Sequence, residues 1–271
     1  MSPFLSRLLS RTARAPGDTQ AALAQRWADL HSAMSQVPYY QTETASEWLR
    51  WAVDPTHLER VPPIDLQEYY REVQQFRNPR SPNPEQAGLE APWDPLPTVV
   101  AVVPWFPLKG RVRIVLEPSC QALMDMKPEV IAAPVVYLRG LAQAVIEKRL
   151  QLPTLRHGVI AWTGVSRPAL TTQDRELFWQ TFQVPVFQQF RGFLGEPLAA
   201  ECSCHEGMHV NPEYAIWQQR LDPSAELLLT SLTNHRYPVL RLGTGFRGHI
   251  DRSPCPCGRT EPRISELRQL S

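Results

Sequence analysis

Leu23, Trp27, Leu30 and Met34 recur four, three and four positions apart, the spacing that gathers apolar side chains on one face of a helix. That helix is expected to stop at Val37-Pro38, because the residue before a proline is pushed out of helical geometry. A second helix is expected from Asp65, which follows Pro62-Pro63 and pairs with Glu68 at the spacing of a capping box. Residues 98–103 and 111–116 are short apolar runs around Lys109-Gly110 and predict two strands joined as a hairpin. Further on, Val135, Leu138, Leu141, Ala142, Val145 and Ile146 form a helical stripe. Gly158-Val-Ile-Ala-Trp162 reads as a buried strand, Thr171 or Thr172 caps a helix through Phe182, and Val184-Pro-Val-Phe187 is another strand. Strand, helix, strand at that spacing predicts a βαβ unit, hence a parallel sheet and an α/β fold.

Composition changes this picture in two places. Eight prolines between Pro79 and Pro107 forbid regular helix there and predict a linker or wrapped loop. The first 14 residues are rich in Ser and Arg, lack acid and carry Phe4, Leu5, Leu8 and Leu9, so a frayed basic helix is preferred to a transit peptide of similar composition. Otherwise 271 residues with 43% hydrophobic content suit one substantial core, or a large and a small lobe. No apolar run approaches the roughly 18 residues of a spanning helix. A net charge of +1 supplies no electrostatic reason to bind nucleic acid or an anionic membrane.

The candidate chemistry lies near the C-terminal end. Four of the five cysteines fall in Glu201-Cys-Ser-Cys-His-Glu-Gly-Met-His209 and Pro254-Cys-Pro-Cys-Gly-Arg259. Thiolate and imidazole hold tetrahedral zinc, and two ligand pairs from distant points can close a structural site. The favoured set is Cys202, His209, Cys255 and Cys257, with Cys204 and His205 as substitutes. Buried free thiols are the plainer reading. Disulfides within Cys202/Cys204 or Cys255/Cys257 are disfavoured because one intervening residue strains the bridge. An odd count of clustered cysteines suits a reducing, cytoplasmic setting. His31, His57, His157, His235 and His249 have no catalytic partner at a recognisable spacing, and Trp93, Trp105, Trp162 and Trp217 read as core or as cleft lining.

Three ordered stretches carry a family resemblance: Leu227-Leu-Leu-Thr-Ser-Leu-Thr233, Tyr237-Pro-Val-Leu-Arg-Leu-Gly-Thr-Gly245 and Cys255-Pro-Cys-Gly-Arg-Thr-Glu-Pro-Arg-Ile264. With Val37-Pro-Tyr-Tyr40, Val61-Pro-Pro-Ile-Asp65 and the strand and helix from Pro128 to Val145, they resemble the phenylacetate–CoA ligase branch of the adenylate-forming enzymes. The resemblance implies a fold that activates carboxylic acids with ATP, and it marks Gly164, Thr244, Gly245 and Arg259 as nucleotide-side positions. It also exposes departures. The family's Ser/Thr/Gly-rich phosphate loop has no counterpart. Its Tyr-Gly-x-Ser/Thr-Glu motif falls on Phe190, Arg191, Gly192, Phe193 and Leu194, where Leu194 cannot hold Mg²⁺ and Glu196 could serve only through a local insertion. The ribose-binding Asp falls on Phe246, and the acid of Gly-x-Glu-Pro on Arg167. The chain stops seven residues past Ile264, so the family's C-terminal domain, with its catalytic lysine, is expected to be absent.

The expected organisation is an N-terminal helical region over residues 1–77, a Pro-rich linker or wrapped loop over 78–108, a reduced α/β core over 109–200 and a strand-rich zinc-binding subdomain over 201–271. The expected function is that of a non-catalytic, zinc-stabilised relative acting as a binding or accessory protein. Its expected partners are a protein, a second copy or a small carboxylic acid; structural zinc is the expected cofactor, rather than ATP and Mg²⁺. Two opposing expectations are an acid–thiol ligase that needs a partner chain and a structural scaffold subunit. Arg241 and Arg259 are expected to brace the strands around the metal loop.

Overall fold

The structure, a computed structural model, describes residues 16–81, 88–93, 96–102, 104–106, 108, 112–115 and 119–270. The basic N-terminal stretch and Lys109-Gly110 lie outside them. The apolar stripe forms helix α1 (Pro16–Met34), whose Trp27, Leu30 and Met34 are buried. The chain then turns through Tyr39 and Tyr40 into α2 (Glu43–Trp51), capped by Thr42, whose side chain accepts from the Ala45 N–H. Helix α3 (Leu66–Arg71) starts where Asp65 accepts from the Gln67 and Glu68 N–H groups. The Glu68 carboxylate accepts the Tyr39 hydroxyl at 3.2 Å, tying α3 to the turn before α2.

Among the described residues eleven strands form one mixed sheet: β1 (Val99–Val102), β2 (Val112–Val115), β3 (Val130–Pro134), β4 (Gly158–Gly164), β5 (Val186–Arg191), β6 (Pro197–Glu201), β7 (Met208–Val210), β8 (Ala215–Gln219), β9 (Glu226–Ser231), β10 (Leu242–Asp251) and β11 (Arg263–Gln269). Their order is β2-β1-β3-β4-β5-β6-β7-β11-β10-β9-β8. The βαβ expectation holds: β3, β4 and β5 are parallel and are linked through α5 (Val135–Ile146) and α6 (Thr172–Phe182). A short α4 (Cys120–Met126) precedes β3. Thr171 and Asp174 cap α6 reciprocally, and Arg139 of α5 grips the same Asp174 carboxylate at 2.7 and 2.9 Å, locking the two helices together.

The hairpin expected around Lys109-Gly110 is replaced by a parallel pair, with Val99 opposite Val112 and Val102 opposite Val115. The physical reason lies in the connection. Phe106 and Leu108 are apolar and sink against Ile160 and Trp162, so this segment crosses the sheet face instead of turning tightly at its edge. Helices cover one face of the parallel strands; on the other, Leu89, Trp93, Trp105 and Phe106 of the proline-rich stretch form the cover. Those described residues of the stretch lie against the sheet.

Beyond β5 the pairing turns antiparallel, and the sheet narrows at three-residue β7 before widening into β11, β10, β9 and β8. This half curls back over the first. Trp217 of β8 meets Phe190 of β5 edge to face at 5.1 Å, and Phe246 of β10 meets Phe190 edge to face at 5.4 Å. The N-terminal helices pack on the segment before β10, where Arg241 donates to the Leu58 carbonyl at 3.2 Å. Arg241 therefore braces the helical layer, a correction to its expected place at the metal loop. Arg259 does lie in that loop, paired with Glu261 at 3.2 Å.

Candidate metal centre

The two Cys/His clusters meet because β7 and β11 pair. Cys202 directly follows β6, and the chain reverses through His205 and Gly207 into β7. Gly207 has φ of +106°, and a Cβ there would stand 2.7 Å from the Ile264 carbonyl, so only glycine fits this approach to β11. In register, His209 of β7 faces Arg263 of β11. From the loop before β11, Cys255 and Cys257 reach back in a tight turn closed by the Gly258 N–H donating to the Cys255 carbonyl at 2.9 Å.

The sulfurs of Cys202, Cys255 and Cys257 and a ring nitrogen of His209 lie within 4.8 Å of one another. Two sulfurs each about 2.3 Å from a tetrahedral ion sit about 3.8 Å apart. Cys202 and Cys255 sulfurs are 3.7 Å apart, and Cys257 Sγ is 3.3 Å from His209 Nε2. His209 Nδ1 donates to the Glu261 carbonyl at 3.3 Å, which fixes the ring and leaves Nε2 free to ligate. The four residues thus form a buried Cys₃His cluster able to hold a metal, and they are the four favoured from the sequence. His205, a substitute there, turns away: it stacks on Phe187 at 4.6 Å and lies 3.7 Å from Glu201. Cys204, the other substitute, is half-buried and lies outside the four-donor set.

Electrostatics in the cluster suit a cation. Burial pushes the Cys202 thiol up and takes Cys257 to about 11. At Cys255 burial acts the same way, yet the Cys257 N–H, the neighbouring thiols and the Arg263 charge hold that thiol below its ordinary value. Burial, then the nearby Arg259 charge, lower His209, so its imidazole is neutral as a ligand must be. Crowded buried thiols resist ionising together; a divalent ion reverses that, because coordination takes the thiolate form outright.

Of the positions marked by the resemblance, Arg259 lies in the metal loop and the others lie elsewhere. Phe246 is 1% exposed and sits in the aromatic stack with Phe190. Leu194 is half-buried, and Glu196 is buried, accepting from the Leu194 N–H at 2.9 Å. Burial raises the Glu196 pKa. Arg167 is exposed, with its guanidinium over Trp105. The Thr244 hydroxyl donates to the Leu227 carbonyl, and the Gly245 N–H donates to Glu226. Gly164 packs on the Arg191 backbone. The sequence reading passed over Arg191: its guanidinium is fully enclosed, donates to the Gly88 and Gly195 carbonyls and to Gln189, and lies over the rings of Phe106 and Trp162. Burial lowers it to about 10.

The reading also passed over a cleft of about 1360 Å³ between α6 and β11. Its lining includes Arg139, Thr171, Arg175, Glu201, His205 and Met208. Glu201, next to the ligand Cys202, is buried and gripped by Arg175 of α6, and it also accepts the Gln188 N–H at 2.7 Å. One wall of the metal centre is therefore tied to the floor of the cleft.

No protein-family model matches the chain, and no curated protein matches it. Solved structures do. The chain superposes on 2-hydroxyisobutyryl-CoA ligase in complex with 2-HIB-AMP and CoA in the thioesterification state with a TM-score of 0.68 and 17% identity, covering 100% of this chain and 72% of that one. For the same ligase in the postadenylation state with R3-HIB-AMP the values are 0.70 and 16%, covering 96% and 69%. Its open conformation gives 0.63 and 14%, covering 93% and 69%. At these identities the likeness establishes the fold alone, which the chain shares with 2-hydroxyisobutyryl-CoA ligase.

Proposed function

We propose that this chain is a zinc-clasped binding or accessory protein of phenylacetate–CoA ligase-like descent, and that it does not by itself make acyl-adenylates. The carrying observation is the burial of Phe246. Adenylation needs groups that neutralise phosphate and grip ribose. An apolar ring closed into an aromatic stack can do neither, and the carboxylate of Glu196 is buried, accepting from the chain's own backbone at Leu194. The Cys₃His cluster serves as the structural zinc site, holding β6, β7 and the loop before β11 together. A small carboxylic acid is the ligand this reading assigns to the cleft between α6 and β11, whose lining includes three arginines, Arg139, Arg175 and Arg268.

The test is one preparation assayed three ways: metal content, ATP binding, and pyrophosphate release with ATP, Mg²⁺ and a panel of aryl and short-chain acids. Zinc near one per chain, with no ATP binding and no pyrophosphate, supports the reading. Acid-dependent pyrophosphate release refutes its non-catalytic half, and a folded protein without zinc refutes its structural half.

A further inference from the structure

The hairpin that closes the metal centre is also a wall of the cleft. β6 and β7 pair antiparallel with Glu201 opposite Met208, and the candidate ligands Cys202 and His209 stand just inside and just beyond the connecting turn. Five residues of this hairpin, Glu201, His205, Glu206, Gly207 and Met208, line the cleft. Backbone preference does not hold the turn in shape. His205 and Gly207 both take left-handed backbone, with φ of +54° and +106°, and a residue with a side chain adopts that region only at a cost. Two ion pairs fix the hairpin from outside: Arg175 of α6 grips Glu201 at 2.5 and 3.2 Å, and Arg263 of β11 donates to Glu206 at 2.8 Å. An ion on Cys202 and His209 fixes the two remaining points, the ends of the turn.

The arginines of the cleft keep donors in reserve. Arg139 places Nε and Nη2 on Asp174, which leaves Nη1. Arg175 commits Nη1 and Nη2 to Val186, Gln188 and Glu201, which leaves Nε. Arg268 is exposed and makes no ion pair among the described residues. Of the acids beside them, Asp174, Glu201 and Glu206 are already paired, and the exposed Glu266 of β11 is the exception. Unused N–H groups on arginine suit a carboxylate, which accepts through two oxygens.

We infer that the metal centre and the cleft are linked sites: the ion sets the cleft wall, so a carboxylate binds the metal-loaded chain more tightly and holds the metal more tightly in return. The inference rests on the clasp and cleft readings above. Glu201 is the positioning residue, because it adjoins Cys202 in the chain and holds Arg175 on the opposite wall. With the ends of the turn pinned, the cost of ordering Glu201 and Arg175 is met before the carboxylate arrives. Linkage requires the same factor in both directions.

The experiment uses the full chain with benzoate as the carboxylate probe. Zinc affinity is measured by chelator competition with and without saturating benzoate, benzoate affinity by NMR titration with and without zinc, and amide exchange over residues 202–208 by mass spectrometry. Each ligand is expected to tighten the other by about 5-fold or more, and zinc to slow exchange in the turn. Glu201→Gln keeps the four metal ligands and is expected to hold zinc while losing the mutual effect; Glu147→Gln, exposed on α5's C-terminal side, behaves like the parent. A linkage that arose only from unfolding of the metal-free chain would persist in Glu201→Gln, so equal coupling there overturns the inference. Zinc affinity that ignores benzoate also overturns it and leaves the clasp standing. A loaded chain that binds no benzoate removes the cleft reading and the linkage together, and a chain that takes up no zinc removes the clasp reading and the linkage, each by its own measurement.

Discussion

Replacing Phe246 by Asp restores the residue type that ribose binding would need, and the fold predicts that the repair fails for a physical reason. Phe246 is 1% exposed and lies edge to face on Phe190, which meets Trp217 in turn. Truncating a buried phenylalanine costs about 3–5 kcal/mol, through lost burial and the cavity left behind. Burying a carboxyl group without partners adds about 1–3 kcal/mol. At roughly 2–4 °C per kcal/mol for a domain of this size, Phe246→Ala should melt about 10 °C lower and Phe246→Asp lower still. Phe246→Leu, which keeps most of the volume, should lose far less. Differential scanning calorimetry reads the melting points, and isothermal titration reads ATP binding. A Phe246→Asp protein that melts with the parent and binds ATP would show that this position faces an open site, and the argument from burial would collapse.

Three further outcomes follow from named contacts. In the folded state burial works against Asp174 ionising, but the bonds from Arg139 and Thr171 outweigh it and hold its pKa below the ordinary value. Its stabilisation is present above the unfolded-state value near pH 4 and lost as pH falls through the lower folded value. Asp174→Asn should cost about 1.5–3 kcal/mol at neutral pH and flatten that acid limb in urea titrations; an unchanged acid limb refutes the assignment. Glu196 has the opposite sign. Its raised pKa means the unfolded state ionises first, so stability falls as pH rises from about 4 toward the folded value. Glu196→Gln should hold or gain stability at pH 7, and a marked loss there would mean that its charge is used. Cys257→Ser and His209→Ala should each lose zinc by elemental analysis while Cys120→Ser keeps it; retention by both ligand variants would place the metal elsewhere.

The sequence disclosed what is local and periodic. The stripe of Leu23, Trp27, Leu30 and Met34 and the run from Gly158 to Phe187 sit where spacing put them, because burying one face decides both. Helix α2 was missed since Ala45 and Leu49 are its only buried residues, too few to set a period. Direction of pairing was not local information either: Lys109-Gly110 has hairpin chemistry, while the apolar Phe106 and Leu108 beside it signalled a crossing. At the metal centre the residue types were legible, but the choice among six sulfur and nitrogen donors belongs to the β7–β11 register, which sets His209 opposite Arg263. Arg191 could not be singled out, because its role depends on the Gly88 carbonyl about a hundred positions earlier in the chain.

The narrowing of the sheet at β7 has a mechanical consequence. Only two residue pairs, His209 with Arg263 and Met208 with Ile264, join β7 to β11. Tension drawn along the strand order concentrates on that seam, where the ladder has its fewest rungs. An ion held by His209, Cys202 and the Cys255–Cys257 turn would bridge the seam from both sides, like a shear pin through a hinge. With such a pin in place the two halves would yield together; without it, the aromatic stack of Trp217, Phe190 and Phe246 would carry the load between them.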